Sequence, residues 1–468
     1  MTDCGERNLH PAELHLFREG GRDLVLDVRR SRVRGLDALE ASLLRCLDGG
    51  NPGPGPWNAG EVPAAEERLL GEGLLLEQAP PPLPALEPQP FVLTHLFVNV
   101  AQACNLRCPY CFAGQGGFGV EPQAMSADTA CRTADFLLDH SGAEPRCGLT
   151  FIGGEPLLNW PVVEKAVLHA EVEAGRRGKE ITFRLVTNGT LLTEAVVAFL
   201  GRHRVGVQVS LDGPASLQDL QRPTATGEGT HDAIAARLPS LLAQVGEEVR
   251  VRATVTRATP SLPDVVRHLE TFGFQRISFG PVRTRNLEYA LDEAGMARFL
   301  EGNAELAREF VDRAVAGGQP HFGDFNRFLL FFCSGQSVQP HCSALTTSLG
   351  VSASGRVYPC NALGEVDSAL LGDVRGGLDL QKLEAWRGFL DFEAKPDCRA
   401  CWARNVCGGG CLAMAHALEG DACRVDAQAC EAIRRITELA IWMHVELRER
   451  APDFFTRLVE ESKGWTGR

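Results

Sequence analysis

The stretch Cys104-Asn105-Leu106-Arg107-Cys108-Pro109-Tyr110-Cys111 constrains this chain more than any other. It follows an apolar run, His95-Leu96-Phe97-Val98-Asn99-Val100, that reads as a buried strand opening into a turn. Three thiols on so short a loop can occupy three corners of a soft-metal site, but not easily the fourth. A structural zinc site takes four protein ligands, usually in separated pairs. A cubane iron–sulfur cluster can be held by three cysteines, which leaves one iron open. On these residues alone, a zinc knuckle or a set of reduced core thiols is the plain alternative.

Composition sets the surroundings. A chain of 468 residues has room for roughly two to four domains and a large core. No run is long enough to span a bilayer, and Met1-Thr2-Asp3-Cys4-Gly5-Glu6-Arg7 does not resemble a signal peptide. A net charge of −13 argues against a nonspecific nucleic-acid surface. Sixteen cysteines, mostly in tight groups in a large leaderless chain, suggest metal in a reducing cytosol rather than disulfides. The expectation is a soluble cytoplasmic metalloprotein with neither nucleic acid nor membrane as partner. The isolated Cys4, Cys46, Cys131 and Cys147 are expected to be inert thiols.

Residues 1–79 read as a separate unit. Glu13-Leu14-His15-Leu16-Phe17 and Asp23-Leu24-Val25-Leu26-Asp27-Val28 alternate as strands about a Gly20-Gly21 hairpin. Residues 36–47 and 64–70 have helical spacing, and residues 73–76 return as a short strand. Residues 80–90, rich in proline, form a stiff linker. From residue 91 to about 325, strand candidates at 95–101, 148–152, 182–187, 205–211, 249–256 and 276–281 alternate with helical segments. That is the α/β pattern of a parallel barrel or a doubly wound sheet. In barrels, chemistry collects at the C-terminal strand ends. There lie Gly153-Gly154-Glu155-Pro156, Asn188-Gly189 and Ser210-Leu211-Asp212-Gly213, with Arg222 shortly after. Glycines let backbone approach a ligand, and a carboxylate beside them can pair with an ammonium. Read alone, Asn-Gly and Asp-Gly are ordinary turns.

The C-terminal third concentrates the remaining thiols. Residues 326–430 hold Cys333, Cys342, Cys360, Cys398, Cys401, Cys407, Cys411, Cys423 and Cys430, several in glycine-rich loops. Such loops suit iron–sulfur clusters, whose sulfurs accept backbone N–H bonds; a pair of zinc ribbons is the alternative. Residues 431–468 contain an amphipathic stretch expected to pack as a helix on this region.

The first loop, with an aromatic immediately before its last Cys, resembles the signature of the radical S-adenosylmethionine (SAM) enzymes. The resemblance implies a partial (β/α)6 barrel over 91–325, a [4Fe-4S] cluster on Cys104, Cys108 and Cys111, and SAM on its open iron. By that resemblance Gly153, Gly154, Glu155 and Pro156 bind the methionine amino group of SAM. Asn188 lies among the SAM-contacting strand ends, Ser210 and Asp212 face its ribose or carboxylate, and Arg222 grips the carboxylate. Gly355 before Cys360, then Cys398, Cys401, Cys407 and Cys411 and a later Cys, resemble the SPASM extension of radical SAM peptide maturases. It implies two auxiliary clusters. One uses Cys342, Cys360 and Cys411, with Cys333 a candidate fourth ligand. The other uses Cys398, Cys401, Cys407 and a late cysteine, with Cys430 favoured over Cys423.

The order of elements in residues 1–79 is similar to the winged-helix-like element with which many such maturases bind a leader peptide by strand addition. The loops around Cys111 and Gly153 look most like maturases that install thioethers in six-cysteine peptides, and like the quinohemoprotein amine dehydrogenase maturase. Implied partners are a ribosomal precursor peptide and reduced flavodoxin or ferredoxin. Carbon–carbon cyclophane formation shares the architecture, and a zinc-binding scaffold is the alternative from another class. In sulfatase-maturing relatives an Asp follows the cysteine that Cys360 matches and acts as base. Here Asn361 follows, and an amide accepts no proton at neutral pH.

Overall fold

Six parallel strands with intervening helices carry the middle of the chain in the computed structural model, which describes residues 9–48, 60–78, 90–334 and 342–465. They are β1 (His95–Gln102), β2 (Arg146–Gly153), β3 (Glu180–Thr187), β4 (Val205–Ser210), β5 (Val249–Val255) and β6 (Ile277–Pro281). Each lies within two or three residues of an expected strand. They neighbour one another strictly in chain order. A doubly wound sheet would reverse that order at a switch point; this one does not, and the unreversed order is the one a partial barrel requires.

Alternation along each strand divides the residues between two faces. Val98, Leu149, Phe151, Leu185, Val207, Val209, Val251 and Ala253 are buried in the main core, where the helices pack. Asn99, Thr150, Arg184, Gln208, Ser210, Arg252 and Thr254 take the intervening positions and line the polar lumen. A seventh strand, β7 (Ser348–Val351), adds in parallel beside β1, and the sheet continues antiparallel through Arg356–Tyr358, Gly372–Asp373 and Gly377–Leu378. One sheet therefore crosses the boundary expected near residue 326.

The N-terminal unit has its hairpin at Gly20-Gly21, between strands Leu14–Glu19 and Arg22–Asp27. A third strand, Arg32–Leu36, was not foreseen. Helix Ala38–Leu47 starts at Asp37, which forms a capping box with Glu40, and helix Val62–Gly71 follows. Leu75–Leu76 then pairs with His10–Pro11. The middle strand serves two cores. Val25 packs with Leu43, Leu44 and Leu69 of the unit's own helices, while Leu24 and Leu26 join the main core.

Long helix Ala427–Arg450, capped by Asp426, packs on helices Glu293–Val315 and Phe325–Ser334 and on the N-terminal sheet. The expected packing surface was the cysteine-rich region, which the helix meets at Phe325–Ser334; its contacts with Glu293–Val315 and the N-terminal sheet are additional. Ion pairs tie the helix to the N-terminal sheet, with Arg22 2.6 Å from Glu446 and Arg435 2.7 Å from Glu19. A further helix, Asp453–Trp465, follows where a single helix was expected. Cys46 is disulfide-bonded, not the inert thiol expected. Cys4 and the linker apart from Pro90 lie outside the described residues. Among the described residues no helix is long and apolar enough to cross a membrane.

Candidate active site

The three-cysteine loop leaves the C-terminal end of β1 and is tied down on two sides. On one, Gly154 donates to Ala101 O and Glu155 to Ala103 O, both at 2.8 Å. On the other, Arg107 N donates to Pro223 O at 2.8 Å and Ala225 N to Asn105 O at 3.2 Å. The first contact requires glycine, because a Cβ on Gly154 would stand 2.1 Å from Ala103 O. The motif's two glycines thus serve first to let two backbones touch.

The Glu155 carboxylate is turned into the protein. It is fully buried and accepts from Thr187 Oγ1 at 2.8 Å, Asn188 N at 2.8 Å and Leu157 N at 3.0 Å. Burial, partly opposed by these donors, lifts its carboxyl to about 7. Its place is that of a brace between β2 and β3. Asn188 continues the brace, donating to Asn105 Oδ1 at 2.9 Å and lying 3.8 Å from Cys104 Sγ. Its Oδ1 accepts from Thr190 N and Oγ1.

Asp212 and Arg222 hold each other. Arg222 donates through Nε to Oδ2 and through Nη2 to Oδ1, both at 2.9 Å, a bidentate pair. Tyr110 OH at 2.5 Å and Gln221 Nε2 at 2.7 Å also donate to Asp212 Oδ2, and Thr254 N donates to Oδ1 at 2.8 Å. The Asp212 side chain is wholly buried. This network fastens the aromatic of the cysteine loop to the ends of β4 and β5. Ser210 faces the lumen at the end of β4 and is half-buried. Tyr110, Gln221, Thr254 and Thr187 were not foreseen as site residues. The position of Tyr110 immediately before Cys111 and of Gln221 immediately before Arg222 were the available signals.

The remaining thiols fall into two groups. Burial raises Cys360 to about 12, with Cys411 and Cys342 close enough to add to the rise. Burial likewise raises Cys398 to about 11, with Cys407, Cys430 and Cys401 contributing and buried Lys395 opposing. Cys333 instead meets Arg448 Nη2 at 3.6 Å. Cys423 is not among the neighbours that raise Cys398, Cys407 or Cys430. Gly408, Gly409 and Gly410 have φ of +69°, +88° and +76°, a run only glycine adopts readily, and it turns two backbone N–H groups onto Cys407. Lys395 Nζ holds that loop through Gly409 O at 2.9 Å. Among the described residues no three His, Cys, Asp or Glu side chains already converge as the ligands of one ion would. The thiols are neighbours without forming a closed single-ion site.

Residues 98–241 match the model of the radical SAM superfamily. This segment is a radical SAM domain. The serine-type anaerobic sulfatase-maturating enzyme of Klebsiella aerogenes is 27% identical over 350 residues, covering 71% of this chain and 83% of that enzyme. The radical SAM cyclopropyl synthase TigE of Paramaledivibacter caminithermalis is 22% identical over 385 residues, covering 78% and 76%. In fold the chain is similar to anSMEcpe with bound AdoMet, at 22% identity and TM-score 0.67 over 79% of this chain and 98% of that one. It is also similar to Streptococcus suis SuiB bound to precursor peptide SuiA, at 16% identity and TM-score 0.51 over 86% and 96%. The chain is therefore related to radical SAM enzymes that modify peptides and proteins.

The donor chemistry of the radical SAM domain fits an iron–sulfur cluster. Cys104 Sγ accepts from Leu106 N at 3.4 Å, the N–H···S contact such clusters use. Burial pushes Cys108 up to about 12, with Arg222 opposing and Cys111 adding to the rise. Without a cation the Cys104 and Cys108 thiols stay protonated; a cluster's charge would ionise them.

Proposed function

We propose that this chain is a radical SAM maturase that cross-links side chains of a ribosomally synthesised peptide, joining a cysteine sulfur to carbon in a thioether. One observation carries the reading: a three-thiol loop clamped at the mouth of an open polar lumen, with two further thiol groups beside the same sheet. Loaded with its cluster and SAM, such a site supplies a deoxyadenosyl radical that takes a hydrogen atom from the substrate. The protein's part is placement. Gly153 and Gly154 present backbone at the loop, Glu155 and Asn188 brace it from β3, and Asp212 and Arg222 hold Tyr110. Ser210 faces the lumen where SAM and substrate meet.

Cys342, Cys360 and Cys411 form one auxiliary site and Cys398, Cys401, Cys407 and Cys430 the other. Loaded with clusters, these would take up the electron released on bond formation, while reduced ferredoxin or flavodoxin would supply the electron that cleaves SAM. Residues 9–78 receive the leader, which adds to the edge strand Arg32–Leu36. Asn361 in place of a base argues against aldehyde formation, although sulfatase maturases are among the relatives. Carbon–carbon closure is the second reading, favoured by the similarity to a cyclopropyl synthase.

The test is anaerobic reconstitution, reduction and addition of SAM, with iron and deoxyadenosine quantified together. Iron for three clusters and deoxyadenosine, both reduced in a Cys104/Cys108/Cys111→Ala variant, is the expected result. Zinc without SAM turnover would overturn the reading in favour of a scaffold.

A further inference from the structure

Beneath the Tyr110–Asp212–Arg222 layer, the lumen carries an arginine that the site described so far does not use. Arg252 lies on β5 in register with Ser210 of β4 and Ser278 of β6. Val251 and Ala253 on either side of it are buried in the core, so its side chain takes the lumen face. Its guanidinium extends over β6, where a Cβ on Gly280 would be 3.1 Å from Nη2. Solvent reaches Arg252, yet desolvation by the surrounding protein still lowers its pKa. Together these describe a side chain inside an open cavity.

The Arg252 guanidinium makes no hydrogen bond or ion pair among the described residues, although its backbone is held in the sheet and its carbonyl accepts from Leu211 N at 3.1 Å. Asp324 and Asp212 act on it from beyond contact distance, and Arg222 and Arg283 oppose them. Asp212 is saturated by its donors, Arg222 is spent on Asp212, and Arg283 is 3.3 Å from Asp426. That leaves Asp324 as the one acid that acts on Arg252 without a side-chain partner of its own among the described residues, from beyond contact distance. Deeper in the lumen stand Arg184 and Arg250, whose Nε atoms are buried without partners. The nearest acid to them is Glu248, and it lies by Gly206 at the lower end. The β3–β5 wall is thus electropositive, and of its three arginines Arg252 is the exposed one, nearest the C-terminal strand ends where a substrate enters. A guanidinium in that setting matches a carboxylate in two parallel hydrogen bonds.

We propose that Arg252 is a specificity residue that binds a carboxylate of the peptide substrate, an Asp or Glu side chain at or beside the modified position. This rests on the maturase reading and narrows its substrate class. SAM also carries a carboxylate, so the test separates the two sources.

The probe is a random-sequence peptide library displayed on its own mRNA, selected on the reconstituted, SAM-loaded full chain. The wild type should enrich Asp or Glu at one position by roughly tenfold. Arg252→Gln should lose that preference, and Arg252→Glu should enrich Lys or Arg there instead. SAM affinity by equilibrium dialysis should stay within about twofold in Arg252→Gln. No acidic preference in the wild type, or the same preference in Arg252→Glu, overturns the proposal. So does a loss of SAM affinity in Arg252→Gln, which would assign the arginine to SAM. Deoxyadenosine is measured on the same preparations. A wild type that forms none yet still selects acidic peptides would sink the maturase reading and leave the carboxylate site standing.

Discussion

Replacing Arg222 with methionine separates two roles for that residue. In the structure its guanidinium is spent on Asp212, whose side chain is wholly buried. Removing one partner of a buried ion pair costs about 3–5 kcal/mol, because the other charge is left uncompensated. Here Tyr110, Gln221 and the Thr254 N–H still solvate Asp212, which places the loss near the lower end, about 3 kcal/mol. At roughly 2–4 °C per kcal/mol for a large domain, Tm should fall by roughly 6–12 °C. Adding Asp212→Asn removes the stranded charge, so the double variant should be less destabilised than the sum of the two singles by at least about 1 kcal/mol. Anaerobic thermal unfolding of the reconstituted protein by circular dichroism reads both. If Arg222→Met melts within about 2 °C of wild type while SAM affinity collapses, the arginine grips SAM and the pairing argument is wrong.

Three further expectations concern the same loops. Glu155 is raised from 4.5 to about 7 by burial, so its contribution to stability is full below its unfolded value and is lost as pH rises through about 7. That amounts to roughly 3 kcal/mol across the window; Glu155→Gln should flatten the corresponding fall in stability, and an unchanged pH–stability profile would refute it. Cys430→Ala should bind about four fewer irons than wild type while Cys423→Ala keeps its full complement; iron analysis showing the reverse would exchange their roles. A Ser- or Cys-bearing sulfatase peptide should remain unoxidised, and an aldehyde product by mass spectrometry would contradict the argument from Asn361.

The strands were legible because Val98, Leu149, Val207, Val209 and Val251 form short β-branched and aliphatic runs bounded by turns. Their period of two also marked the lumen face. The strand Arg32–Leu36 was missed because Arg32, Arg34 and Gly35 give it no apolar alternation; its pairing with Arg22–Asp27 supplies what its own residues do not. The cysteine loop was visible as a spacing, but the direction of Glu155 was not. A motif names a carboxylate without saying which donors surround it, and three donors from its own helix start and from β3 turn it inward. Arg222 illustrates the same limit. Its charge was evident in the sequence, whereas the buried acid that claims it, ten residues earlier, becomes its partner only when β4 and the following helix fold back together.

Strand Arg22–Asp27 gives one side to the small helices and the other to the body of the protein. In grafting terms, residues 9–78 are not a cassette. Cut away, they would take the cover from Trp442 and Val445, strip Arg22 from Glu449, and leave Glu446 with Arg450 alone. A chimera meant to accept a foreign precursor would have to inherit helix Ala427–Arg450 along with the unit it holds. The two segments have to be transplanted as one part.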